Sequence, residues 1–409
     1  MKIAIFSDCY LDLTGGIVSS IKAQKKALED RGHTVYIFST GYRRTEVELR
    51  KLAREQVYVV PSCKWCFKGV TPVGRRPKVI EKWLKREHPE LKDFDAFYVH
   101  YEAGCSIAGL RLARELGVPS VQVMHGREDA GEEKIVPFGL RTVVAGLLNW
   151  FHSWYLPHPT KVARDDYLAR TVAATKMWEL MVNHANYADI VISPSEHFAK
   201  KLKHYGVKGQ IRVCPNGCLD AQFPAEVAVR ELKPGETLRI VWHSRLYGEK
   251  RIMAFLEALN MVQGNYCLDV YGDGADMARA KRFTQRNGVK AAFHGSAKFE
   301  TVRKAILKSH LDVLASYNFD DYPLTLVEAE ACGLPVFFCD PDMREVVPTG
   351  GYVLAEGPEP AEMAKALTDL MAHPERIGEM SSVMVRHRKE VLISRRIVGV
   401  EETLMELKR

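Results

Sequence analysis

Short apolar runs alternate with longer stretches whose apolar residues recur every three or four positions, and the alternation repeats along nearly the whole chain. Lys2-Ile3-Ala4-Ile5-Phe6 reads as a strand, Thr14-Gly15-Gly16 as a tight backbone loop, Ile17 to Arg31 as a helix stopped by Gly32, and Thr34 to Phe38 as a second strand. Further strands are expected at Val57 to Val60, Ala96 to His100, Ser120 to Met124 and Ile190 to Ser193, with helical stretches between them. Parallel strands need crossover helices on both faces, so Val- and Ile-rich strands alternating with helices predict a doubly wound parallel sheet.

Turn-rich Pro215-Asn216-Gly217 interrupts the pattern, and Glu231-Leu232-Lys233-Pro234-Gly235 reads as a linker. The cycle restarts with Leu238 to Trp242, Cys267 to Tyr271, Ala291 to His294, Val313 to Ala315 and Val336 to Cys339, and one helical stretch, Ile377 to Lys408, closes the chain. The expected class is α/β, with two Rossmann-like doubly wound domains facing a central cleft. Their bounds are 1–216, with an apolar insert near 135–160, and 217–385, followed by a C-terminal helix, 386–409, returning toward the first domain.

At 409 residues and 46% apolar content the chain can bury two cores. No 18-residue run is apolar throughout, and Asp8 interrupts the opening residues before a signal-peptide core forms, so neither a secreted nor a membrane-spanning protein is expected. Nine cysteines lie at scattered spacings. The one CxxC, Cys63 to Cys66, lacks the second pair of a structural zinc site, so reduced thiols and no metal are expected. The net charge of +7 is uneven: residues 1–200 hold 29 Lys and Arg against 23 Asp and Glu, and the remainder 29 against 28. An anionic partner should therefore meet the first half.

The densest chemistry lies in the second half, in Tyr317-Asn318-Phe319-Asp320-Asp321-Tyr322-Pro323-Leu324-Thr325-Leu326-Val327-Glu328, which follows a strand and opens a helix. Carboxylates there can accept from sugar hydroxyls, while the free N–H groups of the helix start, at Leu324 and Thr325, suit phosphate. Arg245 and Lys250, just beyond the strand Leu238 to Trp242, add two cations that can neutralise charge on a departing diphosphate. Taken singly, each of these residues also reads as an ordinary solvated charge.

In order along the chain, Gly15-Gly16, His125, Pro215-Asn216-Gly217, Arg245 with Lys250, Tyr271-Gly272-Asp273-Gly274, His294-Gly295, Asp320-x7-Glu328 and Ala331-Cys332-Gly333-Leu334-Pro335-Val336 resemble the retaining GT-B glycosyltransferases of family GT4. The resemblance implies a hexosyltransferase with a nucleotide-diphosphate sugar, UDP-hexose favoured, as donor. Glu328 would accept from the nucleotide ribose, Arg245 and Lys250 would clamp the diphosphate, Gly15 and Gly16 would admit it to the backbone, and His125 would lie beside the transferred sugar. The first motif glutamate is Asp320 here, one methylene shorter, and Asp321-Tyr322-Pro323 replaces the usual Gly-rich turn. The implied mechanism is retention without metal or cofactor, in which the leaving phosphate takes the acceptor proton and the protein supplies position and charge.

Two segments bear on the acceptor. Thr142 to Thr160 carries no Lys, Arg, Asp or Glu, and its Trp150, Phe151, Trp154 and Tyr155 suit a membrane headgroup boundary, a buried hairpin of the first domain or an oligomer contact. Around Val79, Ile80, Trp83 and Leu84 lie Arg75, Arg76, Lys78, Lys82, Lys85 and Arg86, a basic helix for anionic lipid or one packed on its own sheet. Asn183 to Ser195, followed by His204-Tyr205-Gly206-Val207, is similar to bacterial hexosyl-diacylglycerol synthases within the family. That implies a lipid acceptor, with the enzyme cytoplasmic and peripheral on the inner membrane face. The alternatives are a soluble sugar acceptor or a catalytically silent scaffold. A dehydrogenase is disfavoured because Thr14-Gly15-Gly16 lacks GxGxxG spacing, and no motif for reading nucleic acid accompanies the charge.

Overall fold

The computed structural model describes residues 1–9, 11, 15–42, 44–62, 75–127, 136, 138–157 and 160–407. It divides into two compact units, Met1–Pro215 with Ile397–Arg409, and Asn216–Arg396.

The first unit is a seven-stranded sheet of β1 (Lys2–Ser7), β2 (Thr34–Ser39), β3 (Val57–Val59), β4 (Ala96–His100), β5 (Ser120–Val123), β6 (Ile190–Ser193) and β7 (Gln210–Val213), ordered β3-β2-β1-β4-β5-β6-β7. The second is a six-stranded sheet of β8 (Leu238–His243), β9 (Tyr266–Tyr271), β10 (Ala291–Gly295), β11 (Leu311–Leu314), β12 (Val336–Phe338) and β13 (Tyr352–Leu354), ordered β10-β9-β8-β11-β12-β13. Neighbouring strands are parallel in both. The β strands β7 and β13 escaped the apolar pattern because each is a short edge strand that buries little.

Alternate residues of a strand face opposite sides. In the second unit Leu238, Ile240, Trp242, Leu268 and Val270 therefore enter one core layer, while Val241, Leu314, Val336 and Phe338 enter another. In each unit the strand order reverses at a single point, between β1 and β4 and between β8 and β11. Open α/β sheets bind ligands beyond the carboxyl ends of the strands at such a reversal.

The expected single helix from Ile377 to Lys408 is two helices, Glu375–His387 and Ile393–Glu406. The break has a local cause: Arg388 donates to the carbonyls of Ala331, Ala225 and Pro224, and Leu392 forms a bridge with Cys218. The chain passes from the second unit to the first within the last helix, at Arg396/Ile397 rather than at 385/386. In the first unit Glu401 then pairs with Arg31 and with His33 at 2.7 Å.

Candidate active site

In the second unit the candidate residues gather at the reversal between β8 and β11. Lys250 ends a single 3-10 turn, Gly248–Lys250, and its Nζ donates to both oxygens of Asp320 at 2.6 and 2.8 Å. The Ser316 hydroxyl donates to the same carboxylate, and the Phe319 ring lies 5.4 Å from the ammonium. With side chains only 10% and 13% exposed, the two form a nearly buried ion pair. From sequence, Lys250 and Asp320 had separate partners, phosphate and sugar; the structure joins them into one preset unit.

Glu328 projects from the helix Leu324–Ala331, its Oε2 3.4 Å from Nδ1 of His243, whose Nε2 is 3.2 Å from Asp312 Oδ1. Burial alone would lower the His243 pKa, but the Asp312 and Glu328 carboxylates outweigh it and raise it to about 10, so the ring is an imidazolium at neutral pH. Sequence reasoning gave His243 and Asp312 no part. The available signal was a carboxylate inside the otherwise apolar β11, Leu-Asp-Val-Leu, which a buried strand tolerates only with a partner. Pro323 immediately precedes that helix, which starts at Leu324 and Thr325.

Arg245 is held differently. Its side chain is 67% exposed, 3.8 Å from Glu249 and 5.7 Å from the Tyr247 ring centroid. The loop carrying it rests on Tyr271-Gly272-Asp273-Gly274: Leu246 N–H donates to the Asp273 carbonyl, and Asp276 N–H to that of Leu246, each at 3.0 Å. Gly272 has φ +134°, and a Cβ there would stand 2.1 Å from the Ser244 carbonyl oxygen. Gly272→Ala is therefore expected to lower stability by about 3 kcal/mol. Denaturant midpoints would show it against Gly146→Ala, where the added methyl meets nothing within 4 Å.

In the first unit, Gly15 precedes the helix Gly16–Asp30 with extended backbone, and nothing lies within 4 Å of where its Cβ would stand. Internal packing therefore does not demand glycine at that position. At the end of β1, buried Asp8 accepts from the N–H groups of Ala103, Cys105 and Ser106 and from the Ser106 hydroxyl, capping the helix Gly104–Leu116. His125 Nε2 lies 2.8 Å from Nδ1 of buried His100, with the rings stacked. Burial lowers the His125 pKa to about 4 and His100 well below its ordinary value, so both are neutral at pH 7, one donating and one accepting.

The helix Arg141–Ser153 is inside out. It buries Ala145, Asn149 and His152, with Asn149 donating to Glu179 at 2.9 Å and His152 meeting His184 at 2.9 Å, which in turn meets Gln122 at 3.1 Å. Leu140, Val143, Leu147, Trp150 and Trp154, spaced by three and four, are exposed, and the two indoles pack 4.5 Å apart. Trp150 and Trp154 thus face outward, whereas Tyr155 is buried and Phe151 packs on the same core, which removes both from the acceptor candidates.

The basic helix Pro77–Glu87 also turns inward. Ile80 and Leu84 are buried, Trp83 packs on the core against His88, and only Val79 of the apolar set is exposed. Arg75, Arg76, Lys78, Lys82, Lys85 and Arg86 all lie on the surface, where Lys85 pairs with Glu115 and Arg86 with its neighbour Glu87. Trp83, Lys85 and Arg86 are therefore engaged within the unit. The Cys63 to Cys66 pair lies outside the described residues; among those described, no three His, Cys, Asp or Glu side chains form a metal-binding group, and no helix is long and apolar enough to cross a membrane.

The model of a family described as Glycosyltransferase Family 4 matches residues 14–218, and one described as Glycosyl transferases group 1 matches residues 237–373. The chain is 24% identical over 358 residues to an alpha-monoglucosyldiacylglycerol synthase of Streptococcus pneumoniae, covering 82% of this chain and 70% of that protein. Among solved structures, sucrose-phosphate synthase from Thermosynechococcus elongatus superposes with a TM-score of 0.72 at 14% identity, covering 99% of this chain and 98% of that one. The Anabaena protein HepE in complex with UDP-glucose does so with a TM-score of 0.66 at 16% identity, covering 99% and 100%. At such identities the structural likeness establishes the fold, that of the GT-B glycosyltransferases.

Proposed function

The chain belongs to glycosyltransferase family 4, and on that footing we propose that it transfers a hexose, with retention, from a UDP-sugar to a lipid or glycolipid acceptor at the inner face of the cell membrane. The single observation that carries the acceptor is the exposed row Leu140, Val143, Leu147, Trp150 and Trp154, along and just beyond the ends of a helix whose buried side includes the polar Asn149 and His152. Soluble proteins seldom leave such a continuous apolar row uncovered, and indoles with an N–H edge suit the headgroup boundary. The positive excess of residues 1–200 and exposed Arg75, Arg76, Lys78 and Lys82 would draw this unit to anionic lipid. The similarity to a glucolipid synthase and to a protein solved with UDP-glucose supports acceptor and donor respectively.

On this reading Lys250 and Arg245 neutralise the diphosphate as the anomeric bond breaks, with no metal required. The N–H groups of Leu324 and Thr325 help hold it, Glu328 accepts from the ribose, and Asp320 binds sugar hydroxyls with its carboxylate fixed by Lys250 and Ser316. In the first unit, the open space where a Cβ of Gly15 would stand suits the phosphate-admitting role the family gives that loop, and a neutral His125 suits a hydrogen bond to sugar without added charge. The leaving phosphate accepts the acceptor's proton, so the protein supplies no general base.

Co-sedimentation with phosphatidylglycerol vesicles tests the acceptor side. The unaltered chain should bind, and the Trp150→Ala/Trp154→Ala variant should bind at least about tenfold more weakly, since each indole forgoes roughly 1 kcal/mol of apolar burial. No vesicle binding, or full activity on a soluble sugar without lipid, would favour a soluble acceptor.

A further inference from the structure

Buried His243 lies between Asp312 and Glu328, and the family's motifs assign neither His243 nor Asp312 a role in transfer. The sheet register explains why they meet. Asp312 in β11 pairs with Val241 in β8, and His243 stands two residues further along β8 on the same face. Helix Leu324–Ala331 packs on that face through Leu326, Val327 and Ala329, which brings Glu328 to the other side of the imidazole. The side chains of His243 and Asp312 are 3% and 0% exposed, whereas that of Glu328 is 21% exposed, so one end of the chain of charges reaches solvent.

We propose that His243, held by Asp312, is a positioning residue that fixes the Glu328 carboxylate for the two ribose hydroxyls of the donor nucleotide. The inference rests on the donor-site reading above. A glutamate accepting from two adjacent hydroxyls must present its carboxylate in one orientation, yet its side chain has three rotatable bonds to freeze. His243 holds Oε2 from behind and leaves Oε1 unconstrained by that contact. Asp312 balances the imidazolium within a site too buried to leave a charge unpaired. His243 Nε2 and both Asp312 oxygens make no well-aligned hydrogen bond, so that side of the arrangement acts through charge, which a neutral amide in place of the ring would not reproduce.

The experiment compares the affinity of UDP with that of 2′,3′-dideoxy-UDP by calorimetry, using the full chain, His243→Gln, Asp312→Asn and Glu328→Gln. The ratio of the two affinities isolates the ribose contact, and a variant that is merely less stable leaves that ratio unchanged. The unaltered chain should prefer UDP, and His243→Gln should lose about tenfold of that preference while binding the dideoxy compound as before. Asp312→Asn should do the same, and His243→Gln should change nothing further in a Glu328→Gln background. A preserved UDP preference in either soluble His243→Gln or Asp312→Asn protein would overturn the inference and leave the donor site standing. Absence of any UDP binding by the unaltered chain would overturn the donor reading and this inference together.

Discussion

Replacing Lys250 by alanine is expected to lower glycosyl transfer by about a hundred- to a thousandfold, the usual cost of removing one preorganised donor to developing charge. The loss should fall mainly on kcat, because negative charge on the departing phosphate grows toward the transition state and the cation matters most there. The same change leaves the largely buried Asp320 without its counter-ion, so stability should fall by about 3 kcal/mol. Lys250→Ala/Asp320→Ala separates the two effects: its denaturation midpoint should recover toward that of the unaltered chain while transfer stays lost. A single variant with near-normal kcat would remove Lys250 from the chemistry and reduce the pair to a structural ion pair.

Glu328→Ala should behave differently. A carboxylate hydrogen-bonded to ribose holds substrate and transition state alike, so KM for the nucleotide sugar should rise by roughly 10- to 100-fold while kcat changes little, as loss of a charged hydrogen bond of about 1.5–3 kcal/mol implies. Initial-rate measurements over a range of donor concentrations would distinguish the two patterns. A matched fall in kcat would place Glu328 at the reacting centre instead.

The parallel strands were legible because the central strands are short, mostly apolar runs between helices, with Ile190–Ser193 and Leu238–His243 rich in Val and Ile. The edge strands β7 and β13 were not, since Gln210–Val213 and Tyr352–Leu354 have too little buried surface to leave a pattern. Lys250 and Asp320 were each singled out, but their pairing joins residues 70 positions apart and depends on the adjacency of β8 and β11. His243 was hidden for a related reason: its partners come from a neighbouring strand and the helix beyond it, and no local spacing marks them. Trp150 and Phe151 are adjacent in an uncharged stretch, and only the buried Asn149 and His152 reveal which side of that helix faces inward.

Transfer itself decides the matter. Labelled UDP-hexose would be incubated with the full chain and phosphatidylglycerol vesicles containing diacylglycerol or a monoglycosylated lipid, and label in the organic extract counted beside that given by Lys250→Ala. The expected result is lipid-borne label from the unaltered chain and about a hundredth of it or less from the variant. Equal label from both, or label only in water-soluble product, would contradict the proposed reaction.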